Sequence, residues 1–524
     1  MSATVAPLAE PSAPPETTER AVTAAASATS SFDSDVVAAL RNATKLGLSL
    51  VAMWGVQLVI RVFLPRWLGP ELFGSFQFAD AFTSGLFVLA GLGVETYIRK
   101  EVSTRREHAG DFVAGLVVVR VILGVLLIGA ALVGLTIAGR PPVVLRLVFL
   151  LALTQLFVVN NATLGALLHA VGEVHGLSVL GVVSKILWGG GALVGLLAGG
   201  GVVSVGAAML ASEVVKGVGL QVLVRRHVRV RSRVNVRATL AVLTASVPFF
   251  VASLSQALMG RINVTLVSFR ASDLELGWYG AAASLAGIGM LLEPLLGWVL
   301  LPLSARAESR SPDEFTRLTR RSMRLVLTAS VPIALFMGLW ADVIVRVLFG
   351  AKFAPATDSL RATAPCFVLG YVSIVSCTAL IPLGRGWTVT AVSVSSLVIS
   401  VTLNWFLIPA GHALFGAGGA GIGAGVALTL NEVFSAGALT LALGGRAFDR
   451  SGLAMLAKML IVCAVVAALD RLVLLPYGVA RLPVDAAVYG ALALLWRAGD
   501  YDVLANVASR ILSRRRSSHA VAVV

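Results

Sequence analysis

The sequence predicts an all-α polytopic membrane protein with about fourteen transmembrane helices. These form two six-helix bundles in a pseudo-two-fold repeat, followed by two extra C-terminal helices. Three observations predict it: an apolar composition, a regular train of apolar runs, and matching motifs in the two halves of the chain. Of 524 residues, 57% are hydrophobic and only 13% charged, with a mean hydropathy of +0.89. A water-facing surface usually needs roughly a quarter of the residues charged, so this chain cannot clothe one. Fourteen spans of about 20 residues use roughly 280–300 of them, and no remaining stretch is long enough to bury a separate soluble core.

Residues 1–34 are rich in Ala, Ser, Thr and Pro and lack an apolar h-region, which predicts a disordered cytoplasmic tail rather than a signal peptide. Apolar runs follow at about 44–64, 75–97, 113–138, 145–168, 177–199 and 201–223. A second six lie at about 238–260, 276–303, 323–348, 359–382, 387–409 and 415–443. Two more run at about 453–474 and 481–496. The expected division is an N-terminal bundle over 35–224, a C-terminal bundle over 238–443, two added helices over 453–496 and a basic cytoplasmic tail over 497–524. That tail is read equally as a basic amphipathic helix on the inner leaflet or as a solvated segment.

The 42 Lys and Arg against 27 Asp and Glu give a net charge of +15. In a soluble protein such a balance raises nucleic acid as a partner; here none is expected, because the charge falls in alternate loops. One set carries Arg99, Lys100, Arg105 and Arg106, then Arg225, Arg226, Arg229, Arg231, Arg233 and Arg237. It continues through Arg306, Arg310, Arg317, Arg320 and Arg321, Arg385, Arg446 with Arg450, and Arg510 with Arg514–Arg516; only the loop after span 4 lacks a basic residue. The opposite set holds single charges or pairs: Arg66, Arg140 with Arg146, Arg261 with Arg270, Lys352 with Arg361, and Arg481. The expectation is a multi-pass protein of the cell (inner) membrane with both termini cytoplasmic. Trp67, Trp278, Trp340, Trp387 and Trp496 fall near span ends and are read as interfacial anchors.

Spans 1–6 and 7–12 look like copies of one design. Leu68–Ser75 leads into span 2 and Asp273–Ala281 into span 8, pairing Phe73-Gly74 with Tyr279-Gly280 at a separation of 206 residues. Span 6 has Gly206 seven residues before Glu213, and span 12 has Gly425 seven before Glu432. An even number of spans per half gives both repeats the same orientation, with a cavity between two bundles.

No phosphate loop, His-Glu-x-x-His, Cys-x-x-Cys or Gly-x-Ser-x-Gly occurs, so no enzyme activity, cofactor or metal is expected. Cys366, Cys377 and Cys463 lie in apolar runs and read as small core residues. Gly191-x-x-x-Gly195 and Gly416–Gly425 read first as close helix packing, and second as a hinge for rocking. The informative groups are ionisable residues inside spans, which face a bundle interior or a wet cavity. The basic ones are Arg120, Lys185 and Lys216; the acidic ones are Glu213, Glu293 and Glu432. Arg61, Glu95, Asp342 and Arg346 lie nearer span ends and are expected to snorkel. Glu213 and Lys216, three apart, form either a purely structural pair or part of a site.

The functional reading is a cationic pocket of Arg120, Lys185 and Lys216 for an anionic substrate. Glu432, then Glu293 beside a kink at Pro294, then Glu213 are the candidates for coupling to a proton or sodium gradient. Asn160, Asn161 and Asn404 either bind sugar hydroxyls or bond across helices.

The stretch Arg61–Lys100 resembles the opening of polysaccharide-biosynthesis flippases, the O-antigen and lipid-linked oligosaccharide translocases of the multidrug/oligosaccharidyl-lipid/polysaccharide exporter superfamily. The match lies in Leu68, Gly69, Pro70, Glu71, Phe73 and Gly74, in Gly91-Leu-Gly93 and in Arg99-Lys-Glu101. Tyr279-Gly280 and the run Leu403-Asn-Trp-Phe-Leu-Ile-Pro409 followed by Gly419–Gly425 add to it. One departure stands out: the acid that family members often carry in span 7 is replaced here by Arg261-Ile-Asn263.

The resemblance implies alternating access without ATP. A polyprenyl-pyrophosphate-linked repeat unit crosses from inner to outer leaflet, with its head in a polar cavity and its tail in membrane lipid, along a groove that spans 13 and 14 shape. It implies a monomer working beside a glycan polymerase and chain-length proteins. The alternatives are a cation-coupled drug exporter of the same fold, a peptidoglycan lipid-precursor flippase, and a membrane polymerase or ligase. The last usually needs a long external loop, which this chain lacks.

Overall fold

The computed structural model describes residues 55–95, 98, 109–171, 173, 175–227, 235–290 and 293–501. The expected tail over 1–34, the end of the basic tail from 502 and the loop basics Arg99, Lys100, Arg105, Arg106, Arg229, Arg231 and Arg233 lie outside the described residues. Every described element is a helix. Among the described residues, ten helices are long and apolar enough to cross a membrane, and two of these hold two spans each. Gly55–Gly91 carries spans 1 and 2, divided where Gly69 takes φ +74°, a left-handed turn that a side chain would strain. Arg450–Leu495 carries spans 13 and 14, divided by a π-helical turn at Asp470–Leu474 and a 3-10 turn at Leu475–Ala480.

Spans 3 to 6 are Ala109–Ile137, Pro142–Ala170, His175–Leu197 and Gly201–His227. Span 7 is Val236–Arg270, capped by Asn235, whose side chain accepts from the Ala238 N–H. Span 8 is broken into Asp273–Gly289 and Glu293–Arg310, with Pro294 in the first turn of the second piece, as the expected kink requires. Span 9 is Pro312–Leu339, and the short helix Ala341–Phe349 follows it. Ala356–Thr363 with Pro365–Leu380 make span 10; Gly386–Phe415 and Gly419–Leu443 are spans 11 and 12.

Two boundaries differ from expectation. Span 7 runs ten residues past its expected end, because Arg261 and Asn263 interrupt the apolar run but not the helix. Span 9 begins about eleven residues early, at the Ser311 cap that accepts from the Glu314 N–H, so Arg317, Arg320 and Arg321 are helical rather than in a loop.

The cores show how the molecule is divided. One apolar cluster joins residues of spans 1–6 to residues of spans 7, 8, 11 and 12 and the 341–360 segment, all at the end that carries the turns at Gly69, Gly139 and Gly416. Toward the other end the clusters separate. One holds Val94, Leu116, Leu167 and Leu220 with Val242 of span 7; two others hold only residues from 300 onward. The first six spans are thus welded to spans 7, 8, 11 and 12 at one end, while at the other span 7 alone stays packed on them, Val242 in their core and Thr239 against Gly115.

The weld centres on a crossing of spans 2 and 8. A Cβ on Gly74 would stand 1.7 Å from the Asp273 carbonyl oxygen, and one on Gly277 would stand 1.8 Å from that of Pro70. A Cβ on Gly280 would meet Gln77, whose Nε2 donates to the Gly280 carbonyl across 203 positions. With residues 70, 74 and 77 matched to 273, 277 and 280, the first two contacts are each other's two-fold mates and the third is its own. The repeat register here is therefore 203, not 206, and Gly74 corresponds to Gly277 rather than Gly280. The aromatic-Gly spelling misleads because it is the packed glycine, not the aromatic beside it, that the crossing demands.

Spans 11 and 12 show the same close approach, with Gly411 against the Gly419 carbonyl and Gly423 against that of Leu407. In spans 5 and 6, Gly191 faces Ala208 and Gly195 faces Ser204. These contacts are those of close packing.

Candidate functional site

Between the two groups of helices, at mid-depth, stand charges from spans 1, 2, 5, 6 and 7. Arg261 Nη1 lies 2.8 Å from Asp80 Oδ2, a contact between span 7 and span 2. Arg61 donates through Nη1 to the Ser284 carbonyl of span 8 at 3.3 Å, and its guanidinium lies over the backbone that Gly287 leaves bare. Arg61 is within electrostatic reach of both Arg261 and Asp80. Lys185 of span 5 is in reach of Glu213, Lys216, Asp80 and Arg61, and its ammonium lies 5.3 Å from the Trp188 ring centroid. Lys216 reaches both carboxylate oxygens of Glu213 at 3.2 Å, while Asn161 donates to Glu213 Oε2 at 3.0 Å. Among the described residues, four cations thus stand against two carboxylates, and this cluster, called the chamber below, is net positive.

The expected residues divide. Lys185, Lys216 and Glu213 come together at the chamber, with Glu213 and Lys216 forming the structural pair. Arg120 does not line it. Arg120 is 0% exposed and donates to the Gly91 carbonyl, to Glu95 at 2.8 Å, to the Val159 carbonyl and to the Thr163 hydroxyl. Its Nη1 and Nη2 donors are spent pinning the turn at Leu92–Gly93 of span 2, where both residues take positive φ, onto span 4, while its buried Nε has no partner among the described residues. Glu95, expected to snorkel, is its counter-ion.

Asn161 and Asn404 are committed across helices rather than open to a ligand. Asn404 donates to Asn263 Oδ1 of span 7 at 2.7 Å and to the Ser400 carbonyl. Asn160 donates to its own Leu156 carbonyl, and its buried Oδ1 has no partner among the described residues. Glu432 is half-buried in span 12, within reach of Cys366 of span 10, and Asn431 beside it accepts from Ser396 at 2.9 Å. The Glu293 side chain lies outside the described residues.

The family-motif residues sit at the weld. Leu68 and Phe73 are buried in the shared core, Phe73 edge-on to Phe353, while Glu71 is exposed. Asp273 accepts from Ser75 at 2.9 Å and pairs with Arg140 at 3.2 Å, and Arg140 also donates to the Ser268 carbonyl. Glu275 is 4% exposed and accepts from the Gly418 N–H at 2.8 Å. Tyr279 is buried at the same crossing. Pro409 has no N–H to give the Trp405 carbonyl; Arg270 donates to that oxygen at 3.4 Å and stacks over the Trp405 ring at 4.2 Å. Trp278 and Trp340 are not interfacial anchors. Their indoles donate inward, to the Lys352 carbonyl and to Asp485, whereas Trp67, Trp387 and Trp496 are well exposed.

Three chamber residues escaped sequence reasoning. Asp80 stood inside an expected span and was passed over. Arg61 was assigned to a span end and Arg261 to a loop, because both boundaries were drawn where the apolar run stopped. The signal for Arg261 was the helical reach of the apolar positions Val264, Leu266 and Val267 beyond it.

A lipid-facing groove of about 930 Å³ runs along spans 9, 10, 12 and 13, lined by Leu327, Val331, Val368, Val372, Leu456 and Leu460 among others. Span 13 helps to form it, but span 14 contributes no lining residue among those described. No group of three or more His, Cys, Asp or Glu able to hold a metal occurs among the described residues.

No curated protein matches the sequence. Among solved structures, the fold is similar to that of the lipid II flippase MurJ in an inward closed conformation, with a TM-score of 0.67 and 12% identity over 87% of this chain and 99% of that one. It is also similar to an inward-facing multidrug resistance MATE family transporter of the MOP superfamily, with a TM-score of 0.60 and 15% identity over 76% and 98%. A MOP superfamily transporter from Pyrococcus furiosus, described as having a binding pocket of reverse polarity, gives a TM-score of 0.53 and 16% identity over 78% and 96%. These neighbours are transporters or flippases rather than enzymes, and the helices make this a multi-pass membrane protein. The family model for polysaccharide biosynthesis proteins matches residues 39–308, more than half of the sequence, including the crossing of spans 2 and 8 and the charged cluster, and the chain belongs to that family.

Proposed function

We propose that this protein is a flippase that moves a polyprenyl-pyrophosphate-linked oligosaccharide across the inner membrane during surface polysaccharide biosynthesis. The observation that carries the reading is the net-positive cluster of Arg61, Lys185, Lys216 and Arg261, drawn from both groups of helices, beyond the end at which the two share a core. A diphosphate brings concentrated negative charge and oxygen acceptors, which guanidinium and ammonium donors bind by charge-assisted hydrogen bonds. The sugar head sits in this chamber; the isoprenoid tail stays in lipid and lies along the apolar groove of spans 9, 10, 12 and 13.

The rest of the cycle follows from the weld. Spans 1–6 and 7–12 act as two bundles, and the scarcity of Lys and Arg in the loops at the welded end supports an outside position for that end, with both termini in the cytoplasm. The chamber then opens inward, the state in which a lipid-linked substrate enters. Opening outward requires the span 2–span 8 crossing to part and the inner ends to meet. A proton or sodium gradient drives the exchange, with Glu432 and Glu213 as the coupling carboxylates. The protein acts as a monomer, handing its product to a glycan polymerase and chain-length proteins.

Deleting the gene tests the reading: lipid-linked repeat units accumulate on the cytoplasmic face and surface glycan falls. Unchanged glycan with no accumulation overturns it. A peptidoglycan precursor flippase is the second reading, favoured by the fold shared with the lipid II flippase; it predicts accumulation of that precursor instead. A drug exporter for organic cations fits less well, since its chamber would have to be acidic.

A further inference from the structure

The turn between spans 13 and 14 buries a second charged cluster, which the proposed transport cycle leaves unused. Asp470 opens the π-helical turn, a local distortion that often marks functional positions, and Asp485 lies in the first turns of Arg481–Leu495. Both aspartates are 0% exposed, and Arg481 beside them is 1% exposed. Arg481 divides its guanidinium among Asp342 at 2.5 Å, Asp470 at 3.5 Å and the Leu339 carbonyl. Trp340 donates its indole N–H to Asp485 Oδ2 at 3.0 Å.

What remains is unsatisfied. Both oxygens of Asp470, Oδ1 of Asp485 and Nε of Arg481 have no hydrogen-bond partner among the described residues. The two carboxyl groups nonetheless lie in hydrogen-bonding range of each other. With both ionised, neither brings a proton to that contact, and two buried anions face one arginine already shared with a third carboxylate. The nearby cations do not close the gap. Arg471 on the turn is exposed, and Arg361 of span 10 pairs with Asp358 at 2.8 Å and with Asp342 at 3.6 Å. Unpaired charge at such depth is costly and is normally neutralised.

One proton meets both needs. It cancels the surplus negative charge and supplies the donor that the facing oxygens lack. We propose that Asp470 and Asp485 hold a single shared proton, making the turn between spans 13 and 14 a proton-binding site. The same cluster clamps this helix pair to Trp340 and Asp342 at the end of span 9, and span 13 forms one wall of the apolar groove. Loss of the proton sets two anions against each other at the clamp, so the site is where pH acts on the position of the groove wall. The inference does not depend on which substrate is carried.

The full-length protein in lipid nanodiscs, kept free of sodium in choline buffer at neutral pH, is treated with dicyclohexylcarbodiimide, an apolar reagent for protonated carboxyls. Peptide mass spectrometry is expected to find the adduct on Asp470 or Asp485, unchanged by added sodium. Asp485→Asn leaves Asp470 as the single anion paired with Arg481, so the Asp470 adduct is expected to disappear from a variant that elutes as folded protein. Infrared spectroscopy gives a second readout independent of reagent access: a protonated-carboxyl C=O band present in the parent and missing from Asp470→Asn. Absence of both adduct and band overturns the proposal. Labelling suppressed by sodium also overturns it, since a metal cation then occupies the site, as does an Asp470 adduct that survives in Asp485→Asn.

Discussion

The guanidinium of Arg261 meets the carboxylate of Asp80 at 2.8 Å, with side-chain exposures of 44% and 21%, and so ties span 7 to span 2 across the chamber. A pair this accessible is held by modest energy and can be exchanged for a stronger partner. A diphosphate entering the chamber competes with Asp80 for Arg261. The proposed substrate site is thus partly occupied by the protein's own carboxylate when empty.

This sets opposite expectations for the two partners. Arg261→Gln removes one charge-assisted contact to the head group, worth about 1.5–3 kcal/mol, and lowers transport roughly 10- to 100-fold. Asp80→Asn frees Arg261, so the purified protein binds inorganic diphosphate more tightly and with a steeper dependence on salt. Flippase assays in proteoliposomes and calorimetric titration with diphosphate measure both. Equal losses in the two variants would mean that the pair matters only as a brace.

Lys185→Gln and Arg120→Met separate a chamber cation from a structural one. Lys185 is half-buried with no hydrogen bond to a protein acceptor among the described residues, so its loss lowers transport while thermal stability stays close to the parent's. Arg120→Met leaves Glu95 and the Gly91 and Val159 carbonyls without their donor. Removing one member of such a buried pair costs about 3–5 kcal/mol. Melting temperature and yield therefore fall sharply, while the surviving folded fraction flips substrate at near the parent rate.

The sequence announced the architecture because hydrophobic runs, loop charge and even span number are written locally. The chamber was less legible. Lys185 and Lys216 were found because a lysine inside an apolar run is conspicuous, yet Arg120 looks the same by that rule and serves as a brace. Whether a buried cation has its donors spent depends on carbonyls freed elsewhere, here at the turn after Gly91, which no local pattern encodes. Arg261 was hidden by the opposite error: a helix does not end where its hydropathy dips. The pairing of Asp80 with Arg261 spans 181 positions and is visible only once the bundles are apposed.

Asp449 provides a test at low pH, outside the membrane. It caps span 13, accepting from the Gly452 N–H at 2.7 Å and from the Ser451 hydroxyl. The Gly452 N–H is the main cause that holds its carboxyl below the ordinary value, against a small opposing effect of burial. A depressed carboxyl contributes stability that is whole above its unfolded pKa of about 3.9 and is lost as pH falls through the folded value. Asp449→Ala is expected to cost about 1 kcal/mol at neutral pH, the usual worth of an N-cap. The gap between variant and parent closes as the pH drops below about 4. Thermal melts across that range measure it, and a gap that persists in acid would show that the cap acts through something other than its charge.

Gly277 is where closing the welded end is decided. A methyl added there would stand 1.8 Å from the Pro70 carbonyl oxygen and 2.6 Å from its carbon, backbone atoms that cannot rotate away. Overpacking of this kind costs about 1–3 kcal/mol, but only in the state in which spans 2 and 8 cross. When that crossing parts, the methyl has room. Gly277→Ala therefore shifts the population toward the state with this end open, by a factor of about 5 to 150. Phe353→Cys, at a position 1% exposed and packed between Phe73 and Phe349, reports the change in a protein whose Cys366, Cys377 and Cys463 are replaced by Ser. Its labelling by a membrane-impermeant maleimide added from outside rises in Gly277→Ala. Gly74→Ala, the two-fold mate against the Asp273 carbonyl, produces the same rise. The two together add little, because one clash already excludes the closed crossing. Labelling that stays at the parent level in both variants would mean that the crossing does not part during the cycle.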